Sequence, residues 1–185
     1  YVNPFNNLQT YTNGIIVRKV SHRRFTTNQP PPPPAGSQIH SFDSDVMMEV
    51  SLDGGMSYQP HNAPAQVSVQ VTHTGNSSGT EMYDTEMLQL SLSGGTLPPN
   101  VHIRESPTLA SLGKTTIRQL PSNDYEISSF FDVFTEISLD GQMTWSPSSS
   151  GPHYVEVHEL PPDSGMICGM KWEDLNGNGV KEPGE

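Results

Sequence analysis

Residues 65–71 read AQVSVQV and alternate strictly between small or apolar side chains and polar ones. Val67, Val69 and Val71 fall on one side of an extended chain, and the polar residues between them fall on the other, because successive side chains of a strand point to opposite faces. This pattern is typical of an antiparallel sheet with one face packed on a core and the other in water. The stretch therefore predicts an all-β fold.

Similar β-favouring runs occur on both sides of this stretch, separated by turn clusters. The runs include VMMEVSL, EMLQLSLSG, VHIRES, TTIRQL, YEISSFFDVFTEISL and HYVEVHEL, and the turns include LDGG, TGNSSGT, SGGTLPPN and PSND. Seven or more strands at this spacing indicate an antiparallel, immunoglobulin-like β-sandwich. We expect the sandwich to span residues 38–162, between a basic strand with a polyproline spacer at residues 1–37 and a calcium-loop segment at residues 163–185.

The composition agrees with this fold class. Hydrophobic residues make up 32% of the 185 residues and charged residues 16%, both below the usual soluble mixture. Turn-rich extracellular β modules have such a composition, whereas helical enzymes draw on Ala, Leu, Lys and Glu. No apolar run is long enough for a membrane-spanning helix, and the single cysteine, Cys168, excludes an internal disulfide. We expect an extracellular or cell-surface protein.

The formal charge of −11 is unevenly distributed along the chain. No Asp or Glu precedes Asp43, so Arg18, Lys19, Arg23 and Arg24 give the first 42 residues a charge of +4, and the remainder carries −15. These opposite charges predict that the basic segment docks on the acidic body of its own chain or of a neighbouring copy, and they disfavour a nucleic-acid-binding arm.

The basic segment contains the β-branched run GIIVRKV (residues 14–20), and five consecutive prolines follow at residues 30–34. Consecutive prolines favour a stiff polyproline II stretch. A strand on a stiff spacer can pair with a neighbouring copy, so we predict head-to-tail homopolymer assembly by strand addition, into a filament or surface layer. An ordinary first strand followed by a surface loop explains the pattern equally well. The residues assigned to the assembly contact are Ile15, Ile16, Val17, Arg18, Lys19, Arg23 and Arg24.

The sequence also contains an internal repeat. SDVMMEVSLDGGMSYQP (residues 44–60) matches FDVFTEISLDGQMTWSP (residues 131–147) at a constant offset of 87 residues. A strand, an Asp-Gly turn and an aromatic strand form a hairpin signature. Both copies resemble the Asp-box hairpin of sialidase-like propellers and other secreted β proteins, although Gln142 replaces a glycine in the second copy. The resemblance implies a structural role, in which the Asp closes the turn and the aromatic ring packs beneath it.

The last twelve residues, DLNGNGVKEPGE, match the calcium loop D-x-[DN]-x-[DN]-G-x5-E at every specified position. Calcium requires hard oxygen ligands, which acidic and amide side chains and one backbone carbonyl supply at this spacing. Because Pro183 prevents a helix from running through the second half of the loop, we expect an EF-hand-like loop without a full flanking helix pair. The predicted Ca²⁺ ligands are Asp174, Asn176, Asn178, Val180, Glu182 and Glu185.

The longer string GMKWEDLNGNGVKEPGE (residues 169–185) resembles the start of the calcium-binding repeats of bacterial surface adhesins and, more loosely, a dockerin calcium loop. Because such segments open the next module in those families, the resemblance implies that residue 185 lies where another module would begin. The strings DTEMLQLSLSG, SPTLASLGKTTI and SSFFDVFTEISLDG resemble an uncharacterised set of secreted bacterial proteins of planctomycete type, which implies no known activity.

The sequence lacks the common enzymatic motifs. The seven histidines do not have zinc-site spacing, no glycine-rich phosphate loop follows a strand, and no nucleophile elbow is present. We therefore expect a non-enzymatic structural or adhesive subunit stabilised by Ca²⁺. The alternative is a glycan partner, with the chain acting as a carbohydrate-binding module of a larger secreted protein that exposes Tyr58, Tyr83, Trp145 and Tyr154 on one sheet face. Asn76, in a predicted turn, begins the one N-x-S/T sequon and is a candidate glycosylation site.

Overall fold

The computed structural model describes residues 1–5, 7–25 and 31–157, and within these ranges every regular element is a strand. No helix long and apolar enough to cross a membrane occurs among these residues. The strands are β1 (Gln9–Thr10), β2 (Ile16–Arg23), β3 (Ser37–Ser51), β4 (Gln59–Ser77), β5 (Thr80–Ser93), β6 (His102–Glu105), β7 (Ser111–Gln119), β8 (Tyr125–Val133), β9 (Thr135–Ser138), β10 (Ser146–Pro147) and β11 (His153–Glu156). All ladders between them are antiparallel, which confirms the predicted all-β antiparallel class.

The chain runs around the sheet as a meander in which three of the passes consist of two short strands each: β6 with β7, β8 with β9, and β10 with β11. β5 pairs with β6 through residues 91–93 and with β7 through residues 80–87. Further along, β6 pairs with β9 and β7 pairs with β8. In the same way β10 pairs with β9, and β11 pairs with β8.

The first residues of the chain close this sheet on itself. Val2 bridges Ser21 of β2 on one side and Glu156 of β11 on the other, and reciprocal backbone hydrogen bonds of 2.9 Å join Val2 to Glu156. Further along the same seam, the Ser149 amide donates to the Thr10 carbonyl at 2.7 Å. The N-terminal segment therefore completes a ring of eight antiparallel segments.

The predicted immunoglobulin-like sandwich is not confirmed. Such a sandwich consists of two packed sheets with Greek-key connections, whereas the described strands form one hydrogen-bonded sheet. Alternating apolar and polar residues suit both arrangements, because each has one packed face and one wet face. The two are distinguished by the pairing of the N-terminal segment with the last strands.

The residues that predicted the fold behave as expected within β4. Ala63, Ala65, Val67, Val69 and Val71 are buried, at 0% to 8% exposure, and the residues between them face outward. Burying a valine side chain stabilises a fold by roughly 1.5–3 kcal/mol. Because a shift of one residue would turn all five side chains outward, this alternation also specifies the register of β4 with its neighbours.

The antiparallel connections distribute the turns between two ends of the ring. One end, here called the packed end, carries residues 12–15, 52–58, 94–101 and 139–145. The other, here called the open end, carries the N-terminus and residues 31–36, 78–79, 120–124 and 157. Side chains from the same long strands, β3, β4 and β5, face the interior at both ends.

The two copies of the internal repeat form matching hairpins at the packed end. The Asp53 carboxylate accepts hydrogen bonds from the Ser57 amide and hydroxyl at 2.9 and 2.5 Å, and Asp140 accepts the same pair from Thr144 at the same distances. Hydrogen bonds from the Ser51 and Ser57 hydroxyls hold the pKa of Asp53 far below its usual range. The hydroxyl and amide of Thr144 lower the pKa of Asp140 to about 2. The Asp side chain therefore closes the turn in both hairpins.

An arginine covers the aromatic ring of each hairpin. The Arg18 guanidinium lies 3.5 Å from the ring centroid of Tyr58, and that of Arg104 lies 3.9 Å from the ring of Trp145. Each arginine also forms an ion pair with a glutamate of the repeat. These glutamates, Glu49 and Glu136, occupy equivalent positions in the two copies. The repeat is thus a structural device made twice from the same contacts.

Candidate functional site

The open end of the ring contains an apolar cavity of about 770 Å³. Its wall is formed by inward-facing side chains of β3, β4, β5, β7 and β8. The principal apolar wall residues are Val67, Val69, Val71, Met87, Ile117 and Phe131. The volume falls within the range of roughly 300–1,000 Å³ that is typical of small-molecule sites.

Residues on both sides of residues 26–30 line this cavity as well. Phe25 comes from the end of β2, and Pro31 and Pro32 come from the segment before β3. The buried Tyr83 hydroxyl donates to the Pro32 carbonyl at 3.1 Å, and the Phe25 ring packs edge-on against Phe42 with centroids 5.5 Å apart. The described part of the proline run therefore packs on the chain's own sheet, where the sequence predicted a spacer.

Two polar atoms in the cavity wall, Nε2 of His40 and Oγ1 of Thr85, have no hydrogen-bond partner among the described residues. His40 is 9% exposed and Thr85 is 4% exposed. Burial lowers the pKa of His40, so the imidazole is neutral at pH 7. An unpaired buried polar group costs about 1–3 kcal/mol. Both atoms are almost inaccessible, so a molecule in the cavity does not reach either one unless the wall moves.

Two other polar side chains near them, Thr115 and Tyr1, are paired. Thr115 also lines the cavity, and its hydroxyl is 2.7 Å from the Ser129 hydroxyl. The Tyr1 hydroxyl donates to the same Ser129 oxygen at 2.9 Å, and the Tyr1 amino group donates to the His22 carbonyl at 3.1 Å. Thr85 packs closely against Gly113, its register partner on β7. A Cβ atom on Gly113 would lie only 2.8 Å from Thr85 Oγ1 and 2.1 Å from a backbone oxygen of β8.

No Lys, Arg, Asp or Glu side chain lines the cavity within the described part of the chain. A charged group placed there would lose its hydration without gaining a partner of opposite charge, which is strongly unfavourable. The wall is therefore suited to an uncharged molecule. The lining is mainly apolar, and its polar side chains are Tyr1, His22, His40, Thr85, Thr115 and Tyr125.

The residues predicted to contact a neighbouring copy lie instead in the chain's own sheet. Ile15 and Val17 are buried, at 4% and 3% exposure. Arg18 Nε and Lys19 Nζ lie 2.7 and 2.8 Å from the two carboxylate oxygens of Glu49 on β3. The basic segment therefore docks on the acidic body of its own chain, which is one of the two outcomes that the charge distribution allowed.

The remaining residues of that predicted contact are engaged in the same way. Ile16 pairs with Ser51 at the start of the β2–β3 ladder. Arg23 Nε donates to the Ser21 hydroxyl at 2.9 Å, and Arg24 Nη1 lies 3.4 Å from the Asp45 carboxylate. The segment is an integral part of the ring, which agrees with the alternative of an ordinary first strand.

The aromatic rings that would form a carbohydrate platform are covered. Tyr83 is 3% exposed, and arginine side chains lie over Tyr58 and Trp145. Tyr154 stacks on Phe130 with centroids 5.7 Å apart. None of these four side chains is in the exposed class. These contacts favour structural roles for the four rings.

Two further predictions concern a metal site and a glycosylation site. The six predicted Ca²⁺ ligands, from Asp174 to Glu185, lie outside the described residues. Within residues 1–5, 7–25 and 31–157, no three His, Cys, Asp or Glu side chains are grouped so that they could hold a metal ion. Asn76 is exposed in β4, just before the turn at residues 78–79, and its Nδ2 donates to a Glu81 carboxylate oxygen at 2.6 Å.

Sequence reasoning did not identify the cavity, although a signal for its polar residues exists. His40 falls in phase with the buried positions Val46 and Met48 on β3, and Thr85 falls in phase with Tyr83 and Met87 on β5. Period-two alternation thus predicts that both side chains face inward. Whether an inward side chain meets a packed core or an open space depends on strands distant in sequence.

Comparisons with protein-family models, with curated proteins and with solved structures returned no match to this chain. The chemistry of the cavity is therefore the basis of the functional argument.

Proposed function

We propose that this protein is a non-enzymatic binding module that takes an uncharged, largely apolar small molecule into the cavity at its open end. The observation that carries the proposal is the apolar space of about 770 Å³ inside the ring. Protein interiors contain few voids larger than a water molecule. A space of this size, continuous with the open end and lined by side chains such as Val69 and Ile117, is therefore suited to a ligand.

The ring supports such a role in two ways. Backbone ladders join the neighbouring strands of the wall, and isolated bridges at Val2 close the seam between β2 and β11, so little conformational freedom would be lost on binding. Each square ångström of apolar ligand surface removed from water contributes about 25 cal/mol. A ligand that fills the cavity therefore has a substantial hydrophobic driving force without a large rearrangement of the chain.

The direct test is titration of the full chain with N-phenyl-1-naphthylamine, a neutral apolar dye that fluoresces when it leaves water. We expect a saturable fluorescence increase with one site per chain. Val69→Trp fills the cavity and should abolish this increase. Ile39→Trp places the same side chain on the outer face of the neighbouring strand, where Ile39 is 59% exposed, and should leave the increase unchanged.

Two results would reject the proposal. One is the absence of saturable dye binding by the wild-type chain. The other is equal binding by the wild-type chain and a folded Val69→Trp variant, because the dye would then occupy a different surface. Circular dichroism and urea unfolding of both tryptophan variants establish whether each one is folded.

We also propose that the module acts outside the cell and binds Ca²⁺ through residues 174–185, on the strength of the sequence match alone. Calorimetric titration of the full chain with CaCl₂ tests the second point. Saturable binding that disappears in Asp174→Ala/Glu185→Ala is expected. A wild-type chain that releases no binding heat and gains no thermal stability with Ca²⁺ would reject it.

Head-to-tail assembly remains a prediction, and the structure limits its form. Because β2 already pairs with β3 of its own chain, assembly through this segment requires that copies exchange the strand. Arg18 and Glu49 are register partners, so Arg18→Cys/Glu49→Cys in a Cys168→Ser background distinguishes the two states. Covalent chains on a denaturing gel would support exchange, and a monomer with an internal disulfide would reject it.

A further inference from the structure

The cavity opens to solvent on one side, beside the first half of β8. Ile127 of β8 and its register partner Ile117 of β7 both line the cavity, but Ile127 is 41% exposed and Ile117 only 7%. Tyr125 and Phe25 also line the cavity, and each is 44% exposed. Because β11 accompanies β8 along residues 130–133, residues 125–128 of β8 have no second neighbour among the described strands. This side of the cavity, marked by Phe25, Tyr125 and Ile127, is here called the mouth.

The side of the open end over β4 and β5 is covered by residues 31–36. The Tyr83 hydroxyl of β5 donates to the Pro32 carbonyl at 3.1 Å, and the His73 amide of β4 donates to the Gly36 carbonyl at 2.9 Å. Val71 and Tyr83, near the ends of these strands, are only 8% and 3% exposed. The cavity is therefore closed over β4 and β5 and open beside β8.

The interior wall offers few partners to a polar group of a ligand. His40 Nε2 and Thr85 Oγ1 are almost inaccessible, and the hydroxyls of Thr115 and Tyr1 are already hydrogen-bonded. His22 lines both this cavity and the small void of the packed end, so it lies at the floor between the two. A polar group of the ligand therefore meets either His22 at the floor or water at the mouth.

We propose that the ligand is an uncharged amphiphile with a single polar head, whose apolar body lies against the buried wall and whose head stays at the mouth. This inference rests on the proposed function, because it assigns the ligand class of the same cavity. The body contacts side chains such as Val69, Ile117 and Phe131, and the head is a hydroxyl, carbonyl or ether group beside Tyr125. Tyrosine suits this boundary, because it combines an apolar ring with a hydroxyl that both donates and accepts.

The difference in exposure along the wall decides which way the ligand points. Removal of apolar surface from water drives binding, so the body gains most among the principal apolar wall residues, which are at most 8% exposed. A head at the mouth keeps its hydration. In the reverse orientation the head would exchange its water for one bond to His22, and the apolar end would lie among side chains that are more than 40% exposed. Both ends would then be in the less favourable place.

The first test is competition against bound N-phenyl-1-naphthylamine in the full chain, with biphenyl, biphenyl-4-ol and biphenyl-4,4′-diol at pH 7.5. These rigid molecules carry no, one and two hydroxyl groups, and the two hydroxyls of the diol lie at opposite ends. One hydroxyl can stay at the mouth, so biphenyl-4-ol should bind within about threefold of biphenyl. The second hydroxyl must enter the interior, where it lacks a partner. The diol should therefore bind at least about fivefold less tightly than biphenyl-4-ol.

The second test locates the head by comparing 1-decanol with triethylene glycol monodecyl ether, which has the same apolar chain and a longer uncharged head. A head at the mouth lets the glycol chain extend into water. The two molecules should therefore compete within about threefold of each other, below the concentration at which the ether forms micelles. Ile39→Trp, on the outer face, is the control and should give the same order of affinities as the wild type.

The outcomes separate this inference from the proposed function. If the dye binds but the second hydroxyl costs no more affinity than the first, the interior supplies a polar partner, so the single-headed class is overturned and the proposed function stands. An ether that competes more than about threefold less well than decanol overturns the placement of the head at the mouth. Failure of every probe to displace a bound dye overturns the amphiphile class. If the dye itself does not bind saturably, the proposed function fails.

Discussion

The two ends of the ring are built from the same long strands but differ in what fills them. At the packed end, side chains such as Ile137, Val46 and Leu92 are at most 2% exposed, and the interior void beside them measures only about 50 Å³. At the open end the space is about 770 Å³. Interiors of small closed sheets are either filled by side chains or hold one small ligand. The packed end has the first arrangement, and the open end has the space for the second.

Different contacts fill the two ends. Near the packed end, Met48, Leu90 and Ile103 belong to one core cluster, and Tyr11 reaches Thr135 with a 2.8 Å hydrogen bond. Near the open end, Val67, Val69 and Val71 of β4 and Phe131 of β8 line the larger space. The following four predictions test this contrast, beginning with the largest expected effect.

Truncating one isoleucine at each end should destabilise the protein unequally. Ile137→Ala removes a fully buried side chain from a region without spare volume, and it should lower the free energy of unfolding by about 2–5 kcal/mol. Ile117→Ala enlarges a cavity that already exists, so we expect a loss of about 1 kcal/mol. Urea unfolding at pH 7.5 measures both values. Equal losses would show that the open end is as tightly packed as the other.

Acid should destabilise the ring through His153, which lines the small void with Nε2 3.3 Å from Asn3 Nδ2. Burial lowers the pKa of His153 to about 4, against about 6.5 in an unfolded chain. The unfolded chain therefore binds the proton first as the pH falls. Stability is complete above pH 6.5 and decreases toward pH 4, by about 3 kcal/mol for this group.

The measurement is urea unfolding of the wild type and His153→Gln at several values between pH 7.5 and 4.5. The difference between the two proteins isolates this histidine, because His22 and His40 also have pKa values lowered by burial and act in the same direction in both. We expect the wild type to lose more stability than the variant on acidification. Parallel pH profiles would contradict the assignment.

Replacing a threonine hydroxyl by a methyl group should change the free energy of unfolding in opposite directions at two positions of the open end. Thr85→Val deletes a buried hydroxyl that lacks a partner, and it should stabilise the ligand-free chain by about 1 kcal/mol. Thr115→Val deletes a hydroxyl bonded to Ser129 and should destabilise it by about 1 kcal/mol. Thermal unfolding without added ligand compares them. A destabilised Thr85→Val variant would mean that its hydroxyl is already satisfied.

The smallest effect concerns the two hairpins of the packed end. Gln142 has φ of 74° where the first hairpin has Gly55 with φ of 94°. A side chain in this left-handed region is strained, so Gln142→Gly should stabilise the protein by about 0.5–1 kcal/mol. Gly55→Ala is the reciprocal change. Its Cβ would lie 3.3 Å from both Ile16 Cδ1 and the Tyr58 hydroxyl, and it should be destabilising. A loss of stability in Gln142→Gly would show that the glutamine makes compensating contacts.

Much of the local structure could be predicted from the sequence. The alternation in AQVSVQV, the turn clusters and the repeated hairpin all depend on neighbours within a few residues. The structure has its strands and both Asp-closed turns at the positions of these patterns. The global arrangement could not be predicted in this way. The strand pattern and the charges of residues 1–25 do not show whether this segment pairs with its own chain or with another copy, because the same backbone hydrogen bonds and ion pairs form in both cases.

The candidate site was hidden for a related reason. His40 and Thr85 stand at inward positions of β3 and β5, and the sequence indicates that much. Their lack of partners depends on which side chains the opposite wall presents, and that wall comes from β7 and β8, some 30 to 90 residues away along the chain. Gly113, which allows the close approach of Thr85 and the β8 backbone, acts only through such distant contacts.

The sequence by itself determined the β class, the face of each strand that turns inward, the two Asp-closed hairpins and the opposite charges of the N-terminal segment and the body. These features arise from the backbone period of two, from turn chemistry and from composition, which are local or additive. Only the tertiary structure decided that the N-terminal segment closes the ring and that one end is packed while the other holds a cavity. Closure depends on hydrogen bonds between residues more than 100 positions apart, and a cavity is a volume that no single segment encloses.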